Sequence, residues 1–325
     1  MESVKRHPLA ELFEASGHKT FSAMGVLWID AGRHSIISVA HTETVLATKE
    51  EVDALLRKSN KLAAIFTTPL ATGVKSSTFW VRTRDYGTRH LQRQFRQHVR
   101  RSAKDCHVRP LDWDTLQRRG IGCNIDTFQR RGEASNPLAS RTGWDKFCQV
   151  AASVSGLEAW GCFHGETLLA YLIARSKKDV CEALMMHRSD SASRFGAAHL
   201  LFHDFTRAAM RRPDISGVTM GREWFPPRFS LSQFKNHAGY QAEEIQLAVV
   251  LNPKIRGILG NAVTRNALRL LRAVTRGCTA RFDSLETLEA AAATKLPSHL
   301  TESEPPQAHA PESPMANERQ GRRAG

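Results

Sequence analysis

Residues 168–210 read LLAYLIARSKKDVCEALMMHRSDSASRFGAAHLLFHDFTRAAM, and this stretch decides the fold class of the chain. Leu168–Ala174 is an almost uninterrupted apolar run, which predicts a buried strand. Val180–His187 follows after a short polar turn and predicts a second strand. Phe195–Arg211 then places apolar residues at helical spacing, which predicts an amphipathic helix. The order of strand, strand and helix indicates a sheet with a helix packed on its face.

Outward from this stretch, the second half of the chain continues the alternation. Leu157–Phe163 predicts a preceding strand, joined to the next by a turn at residues 164–166. The later strands are predicted at Ile215–Met220 and Glu244–Leu251. A short helix is predicted at Ser230–His237, with Ser230 as its N-cap, and a final long helix at Lys254–Arg276. Because strands separated by helices need crossover connections, we expect an α/β (α+β) protein with a mixed sheet flanked by helices.

The first half is expected to form a mixed α/β lobe. Its strand candidates are short apolar or β-branched runs at Val26–Ile29, Ile36–Val39, Leu62–Thr67, Phe79–Arg84 and Val108–Leu111. Its helix candidates are Lys49–Ser59, the basic segment Arg89–Lys104 and a helix–turn–helix at Asp112–Arg131. The second half opens with a further predicted helix at Thr142–Val154.

The charge balance restricts the class of partner. The 325 residues include 46 Lys and Arg against 32 Asp and Glu, which gives a formal net charge of +14. Such a surface favours polyanions: nucleic acid, anionic lipid headgroups, nucleotide phosphates or an acidic carrier protein. Charge alone does not choose among these partners.

The cysteines and the apolar segments indicate the cellular compartment. The six cysteines form no CxxC pair and fit no zinc spacing. No run of 18 apolar residues predicts a transmembrane helix, and the N-terminus lacks the apolar segment of a secretory signal. We therefore expect a cytoplasmic protein.

The junction between the third predicted strand of the second half and the helix after it reads SASRFGAA at residues 191–198. It resembles the Arg/Gln-x-x-Gly-x-Gly/Ala loop of GNAT acyltransferases, in which backbone N–H groups at a helix N-terminus receive a pyrophosphate. Here the arginine lies only two residues before the glycine. The resemblance assigns binding of the acyl donor to Arg194, Phe195, Gly196 and Ala197.

A second motif follows Gly221. Residues 231–239 read LSQFKNHAG, which is similar to the Leu-x-x-Phe-Lys-x-x-x-Gly signature of FemAB-like transferases of cell-envelope and polysaccharide pathways. In that family the lysine points into the site, and Lys235 would take its place. Residues 80–103 and 124–131 resemble further elements of the same proteins, so that the likeness covers roughly residues 79–251.

The resemblance implies two tandem or fused GNAT-like lobes. We accordingly expect an N-terminal lobe with the basic helix at residues 1–135, and a C-terminal acyltransferase lobe, including the final amphipathic helix, at residues 136–278. Residues 279–325 are expected to be a linker and a disordered tail, because the end of the chain is rich in Pro, Glu and Ser and has almost no large apolar residues.

In activity, the resemblance implies an N-acyltransferase. An acyl group would pass from a thioester or an aminoacyl ester directly to an amine, with acyl-CoA or another acyl donor as co-substrate and no tightly bound cofactor or metal. Lys235, or a backbone amide of the strand Leu168–Ala174, would stabilise the oxyanion. Glu182, or a water that it holds, would act as general base, and Tyr171 would protonate the leaving group. The last two assignments follow from position on the predicted strands, whose register is open at this point.

The basic segments predict where substrates and partners bind. The helix at residues 89–104 would receive an acyl carrier protein or transfer RNA, with Arg96, Arg100 and Arg131 as substrate-binding residues. The helix at residues 254–276 carries six positive charges and no acid. It either packs on the domain or lies on the anionic inner face of a membrane, where a lipid-linked acceptor would reside; a small-molecule acceptor is the other expectation.

Two other functions stay open at this point. A nucleic-acid-binding protein without catalysis explains the charge equally well, although it leaves the Phe-Lys-x-x-x-Gly element unexplained, and a transferase-like fold that has lost activity is an intermediate case. A cleft between diverging strands, with Arg194 and Lys235 converging on it, would favour the enzyme. A filled cleft with all the charge on one convex face would favour the binding protein.

Overall fold

The structure, a computed structural model, describes residues 7–31, 34–39, 41–69, 73–223 and 229–260. Its strands are β1 Thr20–Ala23, β2 Val26–Ala31, β3 Ser35–Ser38, β4 Ala63–Thr68, β5 Val74–Val81, β6 Cys106–Leu111, β7 Leu157–His164, β8 Thr167–Lys177, β9 Val180–Arg188, β10 Gly217–Arg222 and β11 Gln241–Leu251. They form one sheet in the order β1-β2-β3-β4-β11-β5-β10-β9-β8-β7-β6.

The helices flank this sheet. They are α1 Ala10–Ala15, α2 Lys49–Ser59, α3 Arg93–Asp105, α4 Trp113–Arg119, α5 Ile121–Arg130, α6 Arg141–Ser153, α7 Ala192–Phe195, α8 Ala197–Met210, α9 Phe229–His237 and α10 Pro253–Gly260, with 3₁₀ turns at Thr88–His90 and Pro137–Ala139. The predicted mixed sheet flanked by helices is therefore confirmed. The expected helix at 254–276 lies outside the described residues beyond Gly260, as does the whole of 279–325.

The sheet is mixed because two neighbouring pairs are parallel. β3 runs parallel to β4, and β9 runs parallel to β10, whereas the other paired strands are antiparallel. Parallel neighbours need a crossover, and here α2 connects the first pair while α7 and α8 connect the second. Each half of the sheet thus contains one strand–helix–strand unit, in agreement with the expected two lobes.

β11 joins the two halves. Its residues 246–251 pair with β4, and its residues 241–247 pair with β5 on the other side. β6, by contrast, lies at the far edge beside β7. The expected domain boundary after residue 135 therefore falls between two strands that are neighbours in the sheet, and the bounds 1–135 and 136–278 stay a prediction.

Apolar faces of helices cover both sides of the part of the sheet that contains β8. On one side, Val99 of α3 and Leu201 of α8 pack in one core cluster with Leu172 of β8. On the opposite side, Trp144 of α6 packs in a second cluster with Ile173 of the same strand. These side chains are buried, and each contributes roughly 1.5–3 kcal/mol of hydrophobic stabilisation. The alternation along β8 thus fixes which helices lie on each face.

Local signals explain where helices start, and two predicted starts are wrong. The basic helix begins at Arg93 and not at Arg89, because Gln92 is extended and its N–H donates to the His237 carbonyl at 3.0 Å. α9 begins at Phe229, so Ser230 lies within its first turn and is not the N-cap. The helix predicted from Phe195 is interrupted at Gly196, which has a φ of +65°. α1 and β1 were not predicted.

Candidate active site

Polar side chains meet where β9 and β10 diverge. The two strands are paired from Val180 and Gly217 as far as Glu182 and Thr219. Beyond Thr219 the pairing of β10 with β5 shifts register, and Gly221 adopts a φ of +67°. β10 therefore bends away from β9 at Glu182, and parallel strands that separate in this way open a space beside their carboxyl ends.

Glu182 lies at the point of divergence and is poorly solvated. Its side chain is 18% exposed, and its Oε1 lies 4.0 Å from Nε2 of His41. Burial raises the pKa of Glu182 to about 7, although the positive charges of Arg175 and Lys177 act in the opposite direction. A carboxyl group with this pKa exchanges its proton near neutral pH, as a general base must.

His41 brings the first half of the chain into the site. It follows β3, and a Cβ added at Gly221 would come within 3.2 Å of its Cδ2, so the imidazole lies against the bent part of β10. The pKa of His41 is lowered to about 3, mainly by burial and also by the charges of Arg222 and Lys235. The ring is therefore neutral at physiological pH, and Glu182 gains no charged partner from it.

Lys235 and Arg222 supply positive charge. The Lys235 side chain is buried: its Nζ donates to the Arg222 carbonyl at 3.3 Å and lies 4.5 Å from the centre of the Phe79 ring. Burial lowers the pKa of Lys235 to about 8, although the charge of Glu223 opposes that shift. Burial also lowers the pKa of Arg222 to about 10, against the attraction of Glu182. Both groups remain mostly cationic at neutral pH.

Three polar atoms of this cluster lack partners. His41 Nδ1, Glu182 Oε1 and Arg222 Nη1 are buried without a hydrogen-bond partner among the described residues. Buried polar atoms in native proteins are nearly always paired, and leaving one unpaired costs about 1–3 kcal/mol. These atoms are a carboxylate acceptor, a cationic donor and a ring nitrogen, and all three lie where the strands diverge. Together they are suited to binding a polar ligand.

Of the residues predicted to be catalytic, Tyr171 lies elsewhere. Its side chain is fully buried against Trp144, on the side of the sheet covered by α6. The hydroxyl donates to Asn124 Oδ1 and lies 3.1 Å from His187 Nδ1. Burial raises the pKa of Tyr171 well above its usual value. The structure thus brings Glu182 and Lys235 around His41 but places Tyr171 in a core network.

The predicted donor loop forms the junction of α7 and α8. Arg194 is exposed, and its guanidinium carbon lies 5.6 Å from the centre of the Phe195 ring. Gly196 and Ala197 are buried beneath α3, and Ser102 of α3 donates a hydrogen bond to the Phe195 carbonyl. A Cβ at Gly196 would lie 2.6 Å from the Ser102 hydroxyl, so helix packing alone requires this glycine. Arg194 does not join Lys235 in the cluster.

The predicted substrate-binding arginines do not form one site. Arg100 is exposed on α3, while Arg96 is partly buried and donates to the Leu91 carbonyl at 2.8 Å. Arg131 caps α5 and lies over the Phe128 ring at 5.9 Å. Because α3 and α5 cover opposite faces of the sheet, Arg131 is separated from the other two.

Sequence reasoning missed His41 and Arg222. His41 is an isolated histidine in a polar loop, and only the pairing of distant strands brings it to β10. Arg222 directly follows the Gly221 that opens the second motif, and this adjacency was a usable signal. No helix in the part of the chain that the structure describes is long and apolar enough to cross a membrane. The same residues contain no group of three His, Cys, Asp or Glu side chains placed to hold a metal.

Some solved structures are similar to this chain in fold, although no sequence comparison identifies a relative. No family model and no curated protein sequence matches the chain. Among solved structures, FemX is 10% identical, with 73% of this chain and 90% of that chain covered and a TM-score of 0.47. L-PGS from Bacillus licheniformis is 13% identical over 79% and 91% of the two chains, with a TM-score of 0.44. A tandem GNAT protein from the clavulanic acid biosynthesis pathway is 8% identical over 70% and 78%, with a TM-score of 0.42.

Proposed function

We propose that the chain is an acyl- or aminoacyl-transferase that moves an acyl group from a thioester or an aminoacyl ester to an amine. The observation that carries this proposal is the cluster of Glu182, His41, Arg222 and Lys235. It combines a carboxyl whose pKa is about 7 with a buried lysine whose pKa is about 8, at the divergence of two parallel strands. Acyl transfer to an amine is accelerated by a proton acceptor and by a hydrogen-bond donor or positive charge near the carbonyl oxygen.

In the proposed reaction, Glu182 removes a proton from the ammonium form of the acceptor. The free amine attacks the acyl carbon, and the carbonyl oxygen becomes an oxyanion that Lys235 stabilises. When the intermediate collapses, the bond to the leaving thiolate or alkoxide breaks and the protonated Glu182 carboxyl returns a proton to that group, while the attacking nitrogen loses its second proton to solvent. The transfer is direct, and this assignment gives Glu182 the role first expected of Tyr171.

The donor, in our proposal, is anchored by its phosphate groups at the junction of α7 and α8. Arg194 is exposed there, and Arg188 of β9 contacts the Ser193 hydroxyl in the same loop. Acyl-CoA is the proposed co-substrate, and the acceptor is a small or lipid-linked amine. Acyl carrier protein or transfer RNA remains the proposed partner of α3. The proposed membrane contact through residues 254–276 concerns a segment that continues beyond the described residues.

The first test measures binding and transfer with a panel of donors: acetyl-CoA, longer acyl-CoAs, acylated carrier protein and aminoacylated transfer RNA. One donor should raise the melting temperature of the wild type, since a ligand that binds only the folded state stabilises it. Lys235→Met should lower kcat/KM by about two orders of magnitude, the usual effect of losing one oxyanion donor. Lys58→Met, at an exposed lysine of α2, is the matched control and should retain full activity.

The pH profile is a sharper test of the two roles. The pKa of about 7 for Glu182 and of about 8 for Lys235 predict a kcat/KM that rises as Glu182 ionises and falls as Lys235 loses its proton. Glu182→Gln should remove the acidic limb together with most of the activity. An acidic limb unchanged in the residual activity of this variant would refute the assignment of the base.

A second candidate function is nucleic-acid binding without catalysis. α3 favours it, because four cationic residues are exposed along the helix: Arg93, Arg100, Arg101 and Lys104. Binding of arbitrary RNA or DNA that weakens steeply with salt, together with no stabilisation by any donor, would support this function over the transferase.

A further inference from the structure

We propose that a cleft between α8 and the turn before α3 binds a phosphate group. The cleft has a volume of about 330 Å³, and its lining includes Asp85, Arg89, His203, Arg207 and Arg211. It is built by residues other than those of the candidate active site and of the α7–α8 junction. The inference therefore does not depend on the proposed transfer reaction.

The spacing of three residues of α8 places their side chains along one wall of the cleft. His203, Arg207 and Arg211 follow one another at intervals of four, so they line one face of α8 and its C-terminal end. Arg89 approaches from the 3₁₀ turn on the opposite wall. Arg207 and Arg211 are exposed, so their guanidinium groups can turn toward an anion and bind it by paired hydrogen bonds.

The carboxylates near the cleft do not cancel this charge. Asp85, which lines it, forms an ion pair with Arg89. Asp204 accepts a hydrogen bond from Nδ1 of His203 at 2.8 Å. Arg207 and Arg211 therefore remain available as cations for a ligand, and the oxygen atoms of the ligand would be held by them and by the opposite wall.

His203 provides an independent reason to expect a ligand. The residue is 3% exposed, and its Nε2 is buried without a hydrogen-bond partner among the described residues. Since Asp204 accepts from Nδ1, that nitrogen carries a proton, and Nε2 of the neutral ring is an acceptor. Nε2 therefore needs a hydrogen-bond donor, which a ligand that carries a proton would supply.

Phosphate can supply this donor and can also present anionic oxygens to the arginines. A phosphomonoester has a second pKa of about 6, so the phosphate and the imidazole can share one proton between them while the remaining oxygens face the arginines. Sulfate offers the same shape and charge but holds no proton near neutral pH. A phosphodiester lacks the second ionisable oxygen. The chemistry of the cleft thus favours inorganic phosphate or a phosphomonoester over both alternatives.

The test is calorimetric titration of the full chain at pH 7.5 with inorganic phosphate, glycerol 1-phosphate, sulfate and dimethyl phosphate. We expect saturable binding of the first two at one site and weaker binding of the others. Arg207→Gln/Arg211→Gln should weaken phosphate binding by about tenfold or more, because two charge-assisted contacts are lost. Arg57→Gln/Lys58→Gln removes the same charge from an exposed turn of α2 and should leave the affinity unchanged.

Two further arms separate the sources of the phosphate and the role of the histidine. Tighter binding of glycerol 1-phosphate than of inorganic phosphate would assign the site to a phosphomonoester, and the reverse order would assign it to the free ion. His203→Gln, with its folding checked by thermal melting, should reduce the preference for phosphate over sulfate. Equal weakening in the α2 control, equal affinity for phosphate and sulfate, or tighter binding of dimethyl phosphate than of either phosphate would overturn the proposal.

Discussion

Replacing Glu182 by glutamine should stabilise the protein above neutral pH while removing the proposed base. Burial raises the pKa of this carboxyl from 4.5 to about 7. A group whose pKa is raised in the folded state binds its proton more tightly there than in the unfolded chain. Ionised Glu182 therefore opposes folding, and glutamine, which is nearly the same size and uncharged, removes that opposition.

The size of the effect follows from the same pKa values. Below about pH 4.5 the carboxyl is protonated in both states and contributes nothing. Between about pH 4.5 and 7 the unfolded chain ionises first, and stability falls as the pH rises. Above pH 7 the loss levels off at about 3 kcal/mol, since each pKa unit corresponds to about 1.4 kcal/mol. The gain in Glu182→Gln should follow this curve with the opposite sign.

The assay is chemical unfolding of wild type and variant, followed by tryptophan fluorescence, at a series of pH values from 5 to 9. The difference between the two proteins isolates the titration of position 182, because other groups, such as His41, titrate in both. Glu133→Gln, at an exposed carboxylate, is the control and should show no pH-dependent difference.

Two results would refute the reasoning. If the variant were less stable than the wild type at pH 8, ionised Glu182 would be a stabilising partner of Arg222 and not a desolvated charge. If the difference did not change with pH, the carboxyl would be ionised throughout the range and could not serve as a base near neutral pH. Higher stability combined with lost transfer activity would show that the protein tolerates this unfavourable charge for the sake of function.

The remaining predictions concern the core, the α7–α8 junction and the thiols. Tyr171→Phe should lower the free energy of unfolding by about 1–2 kcal/mol, because Asn124 loses a buried donor; an unchanged unfolding midpoint would argue against that network. Gly196→Ala should cost about 1–2 kcal/mol for its left-handed backbone and more for the contact with Ser102. A smaller cost in a Ser102→Ala background would confirm the contact, and an equal cost would exclude it. With Cys278→Ser, native protein should react with a thiol reagent far more slowly than unfolded protein, because the five cysteines within the described residues are buried; fast labelling of the folded form would contradict this.

Periodicity was sufficient to predict most strands and helices of the second half, because each has its own local pattern. It was insufficient to assign faces. The pairing of β8 with β9 shifts register between Ile173 and Ala174, so counting alternate residues along the strands does not relate the direction of Tyr171 to that of Glu182. Both were proposed for one site, and the structure separates them.

The candidate site was only half predictable for a related reason. Lys235 belongs to a local motif, and Glu182 lies on a predictable strand, so both could be named from the sequence. His41 reaches them only because strands far apart in the chain pair side by side, and no local pattern encodes such a contact. Gly196 shows the reverse case: a motif suggested phosphate binding, whereas the approach of α3 already requires a residue without a side chain.

The position of β11 has a consequence for how the chain folds as it is made. β4 ends at Thr68 and β5 begins at Val74, yet the strand between them starts only at Gln241. At a translation rate of roughly 5–20 residues per second, synthesis of the chain between β5 and β11 takes on the order of ten seconds. Until then a nascent chain can complete two partial sheets, each with an open edge that invites pairing with other chains. Neither edge can close until residue 251 has left the ribosome, so the exposure of both edges is set by the rate of synthesis of the last strand.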